Sequence, residues 1–503
     1  MKYKLFKSLA IIASSAFIIG STGCGKLEDF GNTNVNPLSS TQPITAALLT
    51  NAEVFTVSGA AANIRGGLFA QYFSETQYTD ASLFQEPKFD FAIYNTGLMD
   101  LQRVIDLNSD PATAAAQLNS GSNANQIAIA NILKSYIFWT LTDRWGDIPY
   151  SEALKGAANL TPVYDKQEDI YKGLLAQLTA SIAGFDGGPN AKGDIFFNGD
   201  PAAWKKVANS LRMQIALRMS KVYPSSGQLA ATEFAAAVAD PNGFMTTNDD
   251  NVVTAYPSNI TAYQHPWFAT YDGRSDYAYS KTIYDIVSNM GDGRRAAFGT
   301  TGSPFPYGLV RADATTLPTN YATVLATKND NTPYVVISAA STLLAYAEAI
   351  ERGWVSGDAK ATYEAGVKAS FAQWGLSEAA ANAVLTGSGN YDTGTGGGTS
   401  IGNGAFNAVP GQTAATATKL ERLALQQYLA YYPDGVQGWS SWRRTNIPRL
   451  VPTVFAVNSG VGIPRRFVYG NTAYQTNPAN IAAAVSRLTG GDVMQARVWW
   501  DVQ

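Results

Sequence analysis

Residues 125–150 read NQIAIANILKSYIFWTLTDRWGDIPY, and their spacing decides how the rest of the chain is read. Ile129, Leu133, Tyr136, Ile137 and Thr140 fall on one face at helical period, so the stretch predicts a helix over 125–144. Gly146-Asp147-Ile148-Pro149 then stops it after Trp145. Working outward, the same period predicts helices over 44–72, 168–183 and 201–222. In the last of these Asp200 can cap the N-terminus and Pro201 suits the first helical position. Trp204, Val207, Ala208, Leu211 and Ile215 follow on one face.

Further helical patterns cover 335–350, 360–374 and 415–431, so the chain reads as mainly α, with a helical body over about 41–240 and 335–432. Between 242 and 333 Pro, Gly, Asn and Asp recur among isolated aromatics, and regular structure is expected to be thin. The Gly, Thr and Ser stretch 387–404 reads as a long exposed loop, and 433–503 as an irregular tail ending in Trp499-Trp500-Asp501. No strict tetratricopeptide period is visible, although successive antiparallel helix pairs would explain the spacing.

The N-terminus has the form of an export signal. Lys2, Lys4 and Lys7 precede an apolar run, Leu9 to Gly20, that is too short to span a bilayer. Ser21-Thr22-Gly23-Cys24 resembles a bacterial lipobox, with Ser21 where Leu is usual, and Cys24 is the only cysteine of the 503 residues. Residues 1–23 are therefore expected to be a lipoprotein signal peptide, Cys24 the lipidated residue, and 24–40 a flexible tether. Loss of the signal removes three lysines and no acids, taking the formal charge from −3 to −6, which argues against a nucleic-acid partner. With Cys24 carrying lipid, no thiol is left for a disulfide, and core packing must stabilise the body.

Catalytic and metal chemistry are poorly supplied. His265 is the only histidine and stands before Pro266, and there is no Gly-x-Ser-x-Gly elbow for a nucleophile and no His/Cys spacing for zinc. Asp143-Arg144-Trp145-Gly146-Asp147 could in principle hold an acid/base pair, but an arginine between acids at a helix end reads better as a capping network. Asn248-Asp249-Asp250-Asn251 could offer oxygens to Ca2+ and reads better as a solvated turn. Arg443-Arg444 and Arg465-Arg466 could grip an anion and read better as ties from the C-terminal segment to the helical body. No metal and no cofactor is expected.

Binding on aromatic platforms suits the composition better, because a sugar ring stacks on Trp or Tyr while nearby Asn, Asp and Arg bond its hydroxyls. Two loops combine these residue types: 78–94, with Tyr78, Asp80, Phe84 and Phe89, and 263–279, with Trp267, Tyr271, Asp272, Arg274 and Tyr277. The ligand site is expected in the second, with Trp267 or Tyr271 as the stacking ring and Asp272 and Arg274 as polar partners. Tyr78 and Phe84 of the first loop are further candidates.

Taken together, several segments resemble the SusD/RagB family of nutrient-binding outer-membrane lipoproteins, in the subgroup with a C-terminal Arg-Arg-Thr signature. They are Asn131 to Lys134, Thr142 to Tyr150, Leu211-Arg212-Met213, Leu217-Arg218-Met219, Ala347-Glu348-Ala349 with Arg352-Gly353-Trp354, and Tyr363 to Ser370. Trp439 to Thr445, Ile463 to Arg466 and the terminal Trp-Trp-Asp complete the set. The resemblance implies a SusD-like domain over 41–503, with tetratricopeptide-like helix pairs and a long irregular loop-rich subdomain. It implies delivery of a glycan or peptide to a SusC-type TonB-dependent transporter, with no turnover. Glu28-Asp29 resembles the export tag that places such lipoproteins on the outer membrane facing the exterior. A glycoside hydrolase using two carboxylates, or a transporter scaffold that binds no ligand, are the alternatives.

Overall fold

Helices pack on their sequence neighbours through most of the chain. The computed structural model describes residues 44–86, 88–89, 94, 96–254, 256, 263–329, 331–396, 417–457 and 462–502, with the side chains of 88–89 left out. The signal, Cys24, Glu28-Asp29 and the tether lie outside these residues, as does the part of the 387–404 loop after residue 396. From Thr45 onward the chain forms one unit. Its architecture is mainly α, built of tetratricopeptide-like helix pairs. The helix Asn123–Trp145 packs against both Gly97–Ser109 and Gln167–Gly184. Pro201–Arg218 pairs with Leu229–Val238, and Ala339–Glu351 with Ala359–Gln373. Among the described residues no helix is long and apolar enough to cross a membrane.

Local chemistry sets the helix ends. Ser122 caps the central helix by accepting from the Asn125 N–H, and Gly146, at φ +86°, closes it in a conformation that a side chain would disfavour. Asp200 accepts from the Ala202 N–H and Pro201 takes the first turn. Thr418 and Glu421 form a capping box at the start of Lys419–Tyr431.

Three sequence expectations are corrected. The stretch 44–72 is not one helix: Thr45–Phe55 runs into a π-helical turn, Thr56–Ala61, and a new helix, Ile64–Phe69, starts where Asn63 accepts from Gly66. Gly59, Gly66 and Gly67 weaken a continuous helix there. Residues 335–337, read as helical, belong instead to the strand Tyr334–Ile337, paired with Val252–Thr254, as their β-branched run favours, and Ser338 caps the helix that follows.

The third correction lies in the tail, where Gly435–Thr445 is a buried helix. Its two glycines and two serines give a weak local signal, and tertiary contact supplies the rest. A Cβ on Gly435 would stand 2.0 Å from the Gly67 nitrogen, so the two backbones meet at a distance only glycine permits. The same helix carries Trp439, stacked on Phe467 at 5.6 Å and edge-on to Phe69 at 5.3 Å.

The chain end is fastened into the helical body. Trp500 is fully buried with the Arg218 guanidinium 5.3 Å and the Arg443 guanidinium 4.6 Å from its ring, and its indole N–H donates to Asp143 at 2.8 Å. Arg444 donates to both Glu348 oxygens at 2.5 and 2.7 Å, and Arg466 donates to the Trp145 carbonyl and to Asp492. Arg465 pairs with Asp501 at 3.5 Å. All four arginines of the two doublets thus face protein groups.

Candidate functional site

Two loops far apart in sequence are brought together by one short strand pair. Phe73–Glu75 runs antiparallel to Tyr277–Tyr279, with Glu75 opposite Tyr277. The segment leaving at Thr76 and the one arriving at Asp276 therefore lie side by side. Thr76 fixes them, its N–H donating to the Asp276 carbonyl at 2.9 Å and its hydroxyl to the Ser275 carbonyl at 2.6 Å.

At the mouth of this pair stands Tyr78, a residue 54% exposed. The Arg274 and Arg311 guanidiniums lie 5.7 and 5.3 Å from its centroid. Asp276 orients Arg274, accepting from two of its nitrogens at 2.5 and 2.6 Å. The result is an exposed aromatic ring beside two fork-shaped donor groups, the residue types that contact a sugar face and its hydroxyls.

Two residues before Arg311, Leu309 lines a cleft of ≈ 420 Å³. Its walls come from 281–286, 306–309 and 448–455. Gln71 joins two of them, donating to the Val451 carbonyl at 2.7 Å and accepting from the Thr282 hydroxyl at 2.9 Å. Lys281 and Asp285 pair at 2.6 Å on one wall, and Tyr307 and the exposed Phe455 supply rings. Polar groups held in place around an apolar, ring-bearing depression are what small-molecule sites offer.

The sequence candidates divide. Tyr78 and Arg274 come together although their loops are nearly 200 residues apart. Trp267 does not present its face: it is 2% exposed, edge-on to Phe73 at 4.5 Å and near Tyr277 at 6.4 Å. The expectation of a stacking ring there is corrected, because the short helix Pro266–Tyr271 turns that side chain into the core. Tyr271 is half-buried, its hydroxyl donating to the Tyr277 carbonyl and accepting from the Val324 N–H, and Lys328 lies 4.9 Å from its ring. Phe84 is buried against Phe69, a second correction. Asp272 is exposed at the end of the helix. The side chain of Phe89 lies outside the described residues. Arg311 and the 448–455 wall were not legible in the sequence, since no neighbouring residue marks them as facing Tyr78 or the cleft.

Several side chains weighed for catalysis or metal binding have partners within the fold. His265 is buried, its Nδ1 accepts from the Trp267 N–H at 3.2 Å, and burial, with Lys328 nearby, lowers it to about 4. Asp143 receives the Tyr171 hydroxyl and the Trp500 indole and pairs with Arg218 at 3.6 Å. Arg144 donates to the Thr140 carbonyl at 3.0 Å, and Asp147 accepts from the Gln167 N–H and from Arg487. Asp434 is lifted to about 7 by burial, but the space beside it leaves ≈ 20 Å³ for the centre of a water molecule, too little for a sugar. Asp250 caps its own turn and pairs with Lys206 at 2.8 Å, and the Asn251 Oδ1 accepts from the Ala339 N–H. Among the described residues no three His, Cys, Asp or Glu side chains are grouped to hold a metal.

Comparison with known proteins places this geometry in context. Residues 36–470 match the SusD-like family described as starch-binding and associating with the outer membrane. A solved chitin-binding protein is 28% identical, the alignment covering 91% of this chain and 100% of that one at a TM-score of 0.72. A chitin-binding SusD homologue from Flavobacterium johnsoniae is 23% identical over 91% of this chain and 96% of its own, with a TM-score of 0.72. A SusD homologue from Bacteroides uniformis reaches a TM-score of 0.74 at 23% identity, covering 92% of this chain and 98% of its own. No curated protein matches the chain.

Proposed function

The chain belongs to the SusD-like family of starch-binding proteins that associate with the outer membrane, and from that premise we propose that it captures a glycan at the cell surface and passes it unchanged to a SusC-type TonB-dependent transporter. The observation that carries the glycan reading is Tyr78, an exposed ring framed by Arg274 and Arg311 and followed along the chain by the cleft at Leu309. The family's starch-binding description and the chitin-binding names of two similar structures favour a glycan over a peptide. Fold alone does not fix the sugar.

Tyr78→Ala is expected to weaken binding of a starch or chitin oligosaccharide by about 1–3 kcal/mol, roughly 5- to 150-fold, in isothermal titration calorimetry. Because the residue is half in solvent, the melting temperature should move little. Unchanged affinity would remove Tyr78 from the site. Shortened sugars in the incubation would instead favour the hydrolase alternative.

In the same reading Cys24 carries the lipid that holds the domain 41–503 to the outer leaflet through the 24–40 tether. Cys24→Ala should shift the protein from the membrane to the soluble fraction in cells lacking the transporter. Retention in the membrane pellet there would refute the anchor.

A further inference from the structure

The helical body holds a second cleft, ≈ 450 Å³ in volume, on a different set of elements from the loop site. Its walls come from the helices Gly97–Ser109, Asn123–Trp145 and Gln167–Gly184 and from the turn 150–155. Lys134 reaches into it with an ammonium group that carries three donors. One of these goes to Gln102 Oε1 at 2.7 Å, and Gln102 in turn donates to Asp106 Oδ1 at 2.8 Å. The amide therefore stands between the cation and the carboxylate, and Lys134 forms no ion pair with any described carboxylate. Its other N–H groups have no hydrogen-bond partner among the described residues. Burial lowers this ammonium to about 8, so it remains cationic near neutrality.

Negative charge near the cleft comes from Asp106 beside Lys134 and from Asp165 behind the 150–151 turn, from whose N–H groups it accepts. Lys155 adds a second cation, and Asp106 is the only carboxylate of the lining. Tyr150, edge-on to Phe138 at 5.0 Å, supplies a mostly buried ring whose hydroxyl has no hydrogen-bond partner among the described residues. Gln177 and Ser135 add further polar groups. A cleft of this size, with a partly desolvated cation, an aromatic ring and several amide and hydroxyl groups, suits an anionic sugar better than an apolar peptide side chain.

We propose that this cleft is a second ligand subsite that binds the carboxylate of an acidic saccharide, a uronic-acid residue, through Lys134 with the Tyr150 hydroxyl beside it. The choice of a saccharide rests on the glycan-capture reading above, whereas the carboxylate preference rests on the cleft alone. Such a subsite would let the protein bind an acidic glycan independently of Tyr78.

The test uses the mature chain with trigalacturonic acid and its neutral methyl ester as probes in calorimetry. Trigalacturonate should bind more tightly than the ester, Lys134→Met should weaken it at least tenfold, and Lys134→Arg should restore most of the affinity. Asp106→Asn should tighten it severalfold by removing the carboxylate that acts on Lys134, a gain that misfolding cannot imitate. Tyr78→Ala should leave trigalacturonate bound while weakening the neutral starch or chitin probe, which separates failure of this proposal from failure of the loop site. No binding of trigalacturonate, equal binding of acid and ester, or affinity unmoved in both Lys134→Met and Asp106→Asn would overturn it.

Discussion

Replacing Arg444 with Met is expected to cost about 3–5 kcal/mol of folding stability, the scale for removing one partner of a buried ion pair. The Arg444 side chain is 4% exposed and that of Glu348 2%, and both Glu348 oxygens accept from the guanidinium. Burial pushes the Glu348 carboxyl up, but Arg444 and then Arg352 outweigh it and hold the group at about 2. Taking away Arg444 leaves a buried carboxylate with Arg352 at 2.7 Å and Gln427 at 2.8 Å as its remaining partners. Arg352 is partly exposed, so the loss should fall toward the lower end of the range.

The sign of the pH dependence follows from the depressed value. The stability that Glu348 contributes is present above its unfolded value near 4.5 and is lost as pH falls toward about 2. A shift of this size corresponds to about 3 kcal/mol, in keeping with the mutational figure. Urea titration of the wild type and of Arg444→Met at pH 7 and at pH 3 should therefore show a large gap that narrows on acidification. A gap under about 1 kcal/mol at pH 7, or one that does not change with pH, would mean the pair does not stabilise the fold in this way.

Trp267→Ala should be equally damaging, about 3–5 kcal/mol, because a large ring is taken from a packed interior and the space cannot fully close. Trp267 rests on Phe73 of one strand of the pair that positions the loop site and lies near Tyr277 of the other. It supports the site from beneath. A lower melting temperature is expected together with near-normal glycan affinity at temperatures where the variant remains folded, the reverse of the pattern expected for Tyr78→Ala. Lost affinity with a stability change under about 1 kcal/mol would make Trp267 a ligand-contacting ring after all.

Much of the helical body was legible in the sequence, since apolar residues at helical spacing, together with caps such as Asp200-Pro201, report local structure directly. The shape of the stop at Gly146-Asp147-Ile148-Pro149 was legible for the same reason. Only the tertiary structure decided what depends on partners distant in the chain. Gly435–Thr445 is helical because it crosses Ile64–Phe69 at glycine distance, and Tyr334–Ile337 is extended because Val252–Thr254 lies beside it. The arginine doublets acquired carboxylates and carbonyls that their own neighbourhoods do not contain.

The loop site shows the same division most clearly. An aromatic in an irregular, Pro- and Gly-rich stretch looks exposed, yet burial is a property of the three-dimensional neighbourhood, and Trp267 went inward while Tyr78 stayed out. Composition and spacing determined that this protein is a mainly helical scaffold. Which ring faces solvent, and which cations stand over it, was decided by a three-residue strand pairing joining positions about 200 apart, a contact that leaves no periodic trace in either segment.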